Sequence, residues 1–411
     1  MILLFSLLVA ASLARQDPLK AVLRSPRQTL REYGRYKAAR HLTFGPSEDR
    51  MRLGVWKRSA EMVADENSRA GHTAELELNF FAIMTKEERQ QYLGYNSSTE
   101  LTAKLRTFDS VLSDLPTEKD WTKEGKVTVV KDQANCGSCW TFGAVGGLET
   151  RYALQENAVL RNFAEKEYLD CVYEGKVDGC NGGWMHDCYV YSANNGGRLA
   201  KTSDYPYNPF DGICDTSEIF DAMVAAKITG YEKVATTEAD NIAAIAEGSI
   251  TVAFEATKFF QMYKTGILKD MTCTGSSNHA VTAVGYTEKY ILVKNSWGAG
   301  WGEKGFVRYM RGHHNCGLYQ ESFYPQLEAT GVADSNPDEA TDYVAPDNDD
   351  RFDPDVCRDK YLKCTKEHCK NVVYAERYCA KTCGKCTDKD GCPSGTIKCS
   401  DGVCRHEHMC P

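Results

Sequence analysis

Beyond its first fourteen residues the chain has no long apolar run. After MILLFSLLVAASLA, none of the 411 residues form a stretch apolar enough to span a bilayer. A basic excess is also missing. The 49 Lys and Arg against 57 Asp and Glu leave a formal net charge of −8, which excludes the basic face that nucleic-acid binding needs. Residues 15–112 hold no cysteine, although the chain has 18, all between 136 and 410. That compositional shift marks a boundary. So many cysteines do not suit a reducing cytosol and point to an oxidising export route.

The opening apolar run ends in Ser12-Leu13-Ala14, a small-residue cleavage site, so residues 1–14 read as a signal peptide. The chain is therefore expected to be secreted or delivered to a lysosome-like vesicle. In the cysteine-free part Ser47 reads as a helix cap, with Glu48 and Asp49 in the first turn. Glu48, Arg52, Trp56, Ser59, Val63 and Asn67 then recur at steps of three and four, which lines one face of a long helix. Helical stretches follow Cys139 and Gly183, the second ending at Asn194-Asn195-Gly196-Gly197. SITVAFEAT, HAVTAVGYT and YILVKNSW alternate as strands. Helices concentrate early and strands late, so 113–328 is expected to be one α+β body. Residues 329–355, acidic and with three prolines, read as a linker. Ten cysteines then crowd into 357–410, a tail too small for a core of its own.

QANCGSCW carries Cys136 and Cys139. Such a pair can be a redox couple, half a zinc site, or two cysteines with separate roles. A redox pair would sit in a small βαβ unit, which this segment does not resemble. Zinc would need a second close pair, and none lies nearby, so no metal is expected. The third option leaves Cys139 free as a nucleophile. It then needs a base, an orienting group and the positive end of a helix. The helical run after Cys139 supplies the last. His279 in SSNHAVTAVGY is the candidate base, and Asn295 in VKNSWGAGWGEKGF the candidate orienter beside Trp297. Gln133 and the Cys139 backbone N–H could hold an oxyanion.

KDQANCGSCWTF, GCNGGWM, SNHAVTAVGY and KNSWGAGWGEKGF, in that order, resemble the papain-like cysteine proteases over roughly 113–328. The resemblance implies a two-lobed fold, a helical lobe facing an antiparallel barrel-like lobe. It also implies a cysteine endopeptidase acting on proteins or peptides through an acyl-enzyme, with no cofactor. Cys139 would be nucleophile, His279 acid and base, Asn295 orienter, and Gln133 part of the oxyanion hole. It further implies disulfides Cys136–Cys180, Cys171–Cys214 and Cys273–Cys316, leaving Cys139 and a buried Cys188 free. Gly143 stands where the family usually has Ser. The periodic helix resembles the ERFNIN pattern of cathepsin L-type propeptides, making 15–112 an inhibitory propeptide cut near Leu115-Pro116. ELNFFAI matches the following G-x-N-x-F-x-D block at Asn79 and Phe81, but has Glu77 for Gly and Ile83 for Asp.

The same alignment puts Glu321 at the floor of a substrate pocket walled by Trp184, Met185, Ala256 and Ser277. Apolar walls favour Leu, Phe or Val, and a floor carboxylate favours Arg or Lys. His186, beside Asp187, is expected at the surface, as are His313 and His314. Residues 356–386 resemble the ShK toxin-like domain, which implies Cys357–Cys386, Cys364–Cys379 and Cys369–Cys383. The Lys-Tyr pair of channel-blocking members is missing, since Val373 precedes Tyr374, so an extracellular ligand other than a channel is expected. Residues 387–411 resemble half an LDL-receptor class A repeat without its calcium-binding half. Cys392, Cys399, Cys404 and Cys410 are expected to pair among themselves. The competing reading is a secreted binding or toxin-like protein that acts through this tail.

Overall fold

The structure is a computed structural model that describes residues 17–69, 71, 73–95, 105–108, 115–173, 177–215, 223–312, 316–334, 397–398 and 404–405. The signal peptide, most of the linker, His313, His314 and the ShK-like segment lie outside the described residues.

In chain order the helices are α1 (Pro18–Leu23), α2 (Pro26–Ala38), α3 (Pro46–Asn67), α4 (Lys86–Gln90), α5 (Cys139–Ala153), α6 (Glu165–Cys171), α7 (Met185–Asn194), α8 (Glu238–Glu247) and α9 (Lys258–Gln261). The strands are β1 (Ala74–Leu76), β2 (Leu105–Arg106), β3 (Lys119–Asp120), β4 (Ala226–Val234), β5 (Ile250–Phe254), β6 (Tyr263–Leu268), β7 (His279–Tyr286), β8 (Tyr290–Lys294), β9 (Phe306–Met310) and β10 (Glu321–Ala329), with a short β11–β12 pair (Ile397–Lys398, Cys404–Arg405). Helices dominate up to α7 and strands after it, an α+β body with two lobes.

One ten-stranded sheet runs β1-β6-β9-β8-β7-β5-β10-β4-β2, with β3 beside β7. Its two outer strands come from the segment before residue 113. β1 pairs antiparallel with β6, and β2 pairs parallel with β4. Edge strands invite a partner, and here the N-terminal segment covers both edges. Phe108, 2% exposed, sits in the core beside Val234 and Ile242, and its N–H donates to Asp240 Oδ1 at 2.8 Å.

In α5 every residue but Arg151 is buried. Its glycines let it press on the sheet. A Cβ on Gly146 would lie 2.2 Å from Thr282 Oγ1, and one on Gly143 would lie 2.8 Å from Thr251 Oγ1. Thr251 thus accounts for Gly143, since a larger residue would have to displace it.

Three expectations need correcting. α3 is capped by Gly45 and opened by Pro46, so Ser47 lies inside the helix. Proline at the first helical position has its φ preset and loses no hydrogen bond. His186 is buried, at 4% exposure, between Trp184, Tyr231 and Phe323. Burial drives its imidazole down to about 4. The body does not end at 328: Thr330 N–H donates to Ala225 O, and buried Asp334 bonds Arg161 and Tyr152. The residues expected to wall the pocket come from both lobes, Ala256 from the barrel-side apolar cluster and Trp184 and Met185 from the helical-lobe cluster.

Candidate active site

Cys139 begins α5, and Ser138 at the cap makes no side-chain bond to the first turn, its hydroxyl pairing instead with the Tyr207 hydroxyl at 2.7 Å, so the positive end of the helix faces the sulfur. Cys136 is bonded to Cys180, Cys171 to Cys214 and Cys273 to Cys316, while Cys139 and Cys188 are free and buried. The Cys139 sulfur is fully buried. Burial pushes its thiol up to about 11, against backbone hydrogen bonds from Ala280, Gly94 and Trp140. The Ala280 contact brings the start of β7 against the sulfur, with His279 the adjacent residue on the strand. His279 Nε2 and Asn295 Oδ1 lie 2.8 Å apart, and the Trp297 ring stacks on the imidazole at 4.7 Å. Nδ1 of His279 has no hydrogen-bond partner. Burial lowers this imidazole to about 4, only partly offset by Asn295.

Gln133 is buried beside them. Its Oε1 accepts from Ser296 Oγ at 2.6 Å, and its Nε2 donates to Cys136 O at 2.8 Å and to Tyr92 O at 3.2 Å. Gln133, Cys139, His279 and Asn295 therefore converge on one cleft between α5 and the sheet.

The cleft is filled by the chain itself. Gly94 N–H donates to Cys139 Sγ at 3.2 Å, and Gly183 N–H donates to Gly94 O at 2.9 Å. Tyr95 bridges Gly183 in the parallel sense, and its N–H donates to Asn278 O at 3.1 Å. The Tyr95 ring, 3% exposed, shares the apolar cluster of Trp184, Met185, Ala280 and Phe323, and its hydroxyl donates to Glu321 Oε2. Ser277 is 8% exposed on the loop leading to His279.

The segment is anchored upstream. Trp56 is fully buried against Tyr33 and Tyr36. Arg52 ties Glu48 and Glu88 to the Ile83 carbonyl. Asn79 donates to Gln261 O at 2.7 Å, and Phe81 packs on Trp297 at 4.7 Å, which carries the anchor to the wall of the cleft.

Sequence reasoning missed three features. Gly94 and Tyr95 plug the cleft. Glu255 Oε2 gathers Thr274 N–H at 2.5 Å, Gly275 N–H at 2.7 Å and Ser276 N–H at 3.3 Å, which fixes the loop that carries Ser277 and Asn278. Lys131, within 2.7 Å of Glu149 and 2.6 Å of Glu165, forms a buried ionic knot behind α5. A motif search could have weighted the Lys131–Gln133 run, but no local pattern marks Glu255.

Fold and site define a thiol hydrolase closed by its own N-terminal segment. The chain belongs to the papain family: residues 115–326 match the papain family cysteine proteases, and residues 33–89 match the cathepsin propeptide inhibitor domain. It is 33% identical to human cathepsin L2 over 310 residues, covering 71% of this chain and 91% of that protein. It is 37% identical to papain of Carica papaya over 285 residues, covering 67% and 80%. Among solved structures, digestive procathepsin L2 of Tenebrio molitor larval midgut superposes with a TM-score of 0.65 at 30% identity, over 72% of this chain and 99% of that one. The chain is a cysteine endopeptidase that carries its inhibitor as a propeptide. Among the described residues no helix is long and apolar enough to cross a membrane.

Proposed function

We propose that Cys139 attacks the peptide carbonyl carbon while its thiol proton passes to His279. The oxyanion takes hydrogen bonds from Gln133 Nε2 and the Cys139 N–H. His279 then protonates the leaving amine, and the acyl-enzyme is hydrolysed by water with His279 as base. Asn295 holds the imidazole plane, and Trp297 keeps water from that hydrogen bond. The observation that carries this reading is the Gly94 N–H on the sulfur: a backbone donor of the propeptide lies where a reacting group would approach. Tyr92 O on Gln133 supports the oxyanion role in the same way.

The pocket of Trp184, Met185, Ala256, Ser277 and Glu321 receives the side chain two positions before the scissile bond, with apolar walls and an acidic floor. The Tyr95 hydroxyl on Glu321 supports a floor role. The leader and disulfides support secretion or delivery to a lysosome-like vesicle. The ShK-like tail, read from its six cysteines alone, is an appendage for an extracellular ligand.

A thiol-directed epoxide tests the mechanism. Adduct on Cys139 by mass spectrometry, only after loss of residues before about 115, is the expected result; label elsewhere, or none on the mature chain, would refute it.

A further inference from the structure

We propose that the pocket floored by Glu321 selects tyrosine over phenylalanine in substrates, by accepting a hydrogen bond from the phenol hydroxyl. The inference rests on the cysteine-protease reading above and names the side chain that its pocket prefers. Tyr95 shows the fit. Its ring is 3% exposed among the apolar side chains of the helical lobe, its main-chain N–H is held by Asn278 O, and its hydroxyl donates to Glu321 Oε2. Glu321 is itself only 6% exposed and opens β10, so the sheet fixes how deep the floor lies. The depth from the Asn278 carbonyl to the carboxylate is thus spanned by one tyrosine.

A phenylalanine would fill the same walls and leave the carboxylate without that donor, and a buried acceptor that loses its donor is costly. Leucine or valine would also leave the lower pocket empty. Burial first, then the charge of Glu321, push the Tyr95 phenol far above its ordinary range, so the hydroxyl stays protonated and acts as donor. The pocket reads the side chain and not the chain direction. The parallel bridge of Tyr95 with Gly183 shows the ring entering even from a prosegment that is not cleaved there.

The test uses the autoprocessed enzyme and fluorogenic peptides that differ only two positions before the cut, bearing Tyr, Phe or O-methyltyrosine. For wild type, kcat/KM for Tyr should exceed that for Phe by about tenfold or more, with O-methyltyrosine below Phe. In Glu321→Gln the Tyr advantage should shrink, and in Glu321→Leu it should vanish or invert while Phe is still cleaved. A wild-type Tyr-to-Phe ratio near one, or a ratio unchanged in Glu321→Leu, overturns the proposal. If neither variant folds, the three-substrate series on wild type still decides. Phe hydrolysis that is abolished by Cys139→Ser keeps the protease reading intact whichever way the ratio falls. Hydrolysis that survives Cys139→Ser removes the protease reading and the proposal together.

Discussion

Gly94→Ala tests whether the propeptide silences the enzyme by seating its backbone on the nucleophile. A Cβ at residue 94 would lie 1.6 Å from the Gly137 carbonyl oxygen and 2.3 Å from its carbon. Both are backbone atoms on the disulfide-held turn before α5, so they cannot swing aside. The plug must leave instead. It then loses the Gly94 N–H to Cys139 and the Gly183 N–H to Gly94 O, each worth about 1 kcal/mol net. Withdrawal of Tyr95 from its pocket costs about 2 kcal/mol more. The total of about 4 kcal/mol moves the closed-to-open ratio by roughly a thousandfold. The assay is the rate of Cys139 alkylation by iodoacetamide at pH 7 in the intact zymogen, with prosegment integrity followed on the same samples. In wild type a thiol at about 11 is ionised to roughly one part in ten thousand at pH 7. Opening restores water to the sulfur and lowers that value. The variant should therefore label at least a hundredfold faster while α3 stays docked through β1 and β6. Equal rates in an intact, folded Gly94→Ala zymogen would refute the reasoning.

Asn295→Ala removes the 2.8 Å contact that orients His279, and should lower kcat of the mature enzyme about tenfold to a hundredfold with little change in KM. A KM-only effect would assign Asn295 to binding. Glu255→Ala releases the loop that carries Ser277 and Asn278 and should raise KM about fivefold or more. Iodoacetamide labelling of Cys139 in that variant should keep its wild-type rate, because the lost contacts hold that loop and not the thiol.

The residues proposed to do the chemistry were legible because their types and order are constrained. A cysteine before an apolar helix, with a histidine and an asparagine in strand segments downstream, leaves few alternatives. What escaped depends on approach in space. Gly94 is one glycine in QYLGYN, and only the passing Gly137 carbonyl makes its missing side chain matter. Glu255 collects the N–H groups of a loop that turns through Gly275 at φ +94°, a conformation no side-chain periodicity announces. His186 follows Trp184 on a short helix, where spacing cannot say which face the sheet will cover. Tyr231 of β4 and Phe323 of β10, both distant in sequence, close over it. The edges of the sheet escaped for the same reason. Nothing in LRTF shows that it would cap β4, yet that pairing puts the N-terminal segment on the sheet edge opposite β1.

Ile83, where related propeptides carry an aspartate, is fully buried, and Arg52 meets only its backbone carbonyl at 3.2 Å. Acid sensitivity of this zymogen must come from other groups, and two act in separate windows. Burial alone would raise the Glu88 carboxyl, but hydrogen bonds from Arg52 and Thr85 outweigh it and hold it low. A carboxyl lowered in the folded state stabilises above its unfolded value and loses that contribution only as pH falls through the lower folded one, so Glu88 keeps the propeptide folded in mild acid. His279 behaves oppositely. Its closed-cleft value of about 4 lies below the ordinary 6.5, so the open form binds the extra proton first. The closed form therefore loses stability progressively from about pH 6.5 to about pH 4, by about 3 kcal/mol at the lower limit. Hydrogen exchange at the Gly94 and Tyr95 amides, measured in Cys139→Ser to prevent self-cleavage and corrected for intrinsic rates, should lose protection across that window. His279→Gln should flatten the profile, and Glu88→Gln should leave it in place. If His279→Gln keeps the wild-type acid profile, the imidazole is not the sensor. If it flattens, the burial that silences the thiol at neutral pH also makes the cleft open in acid.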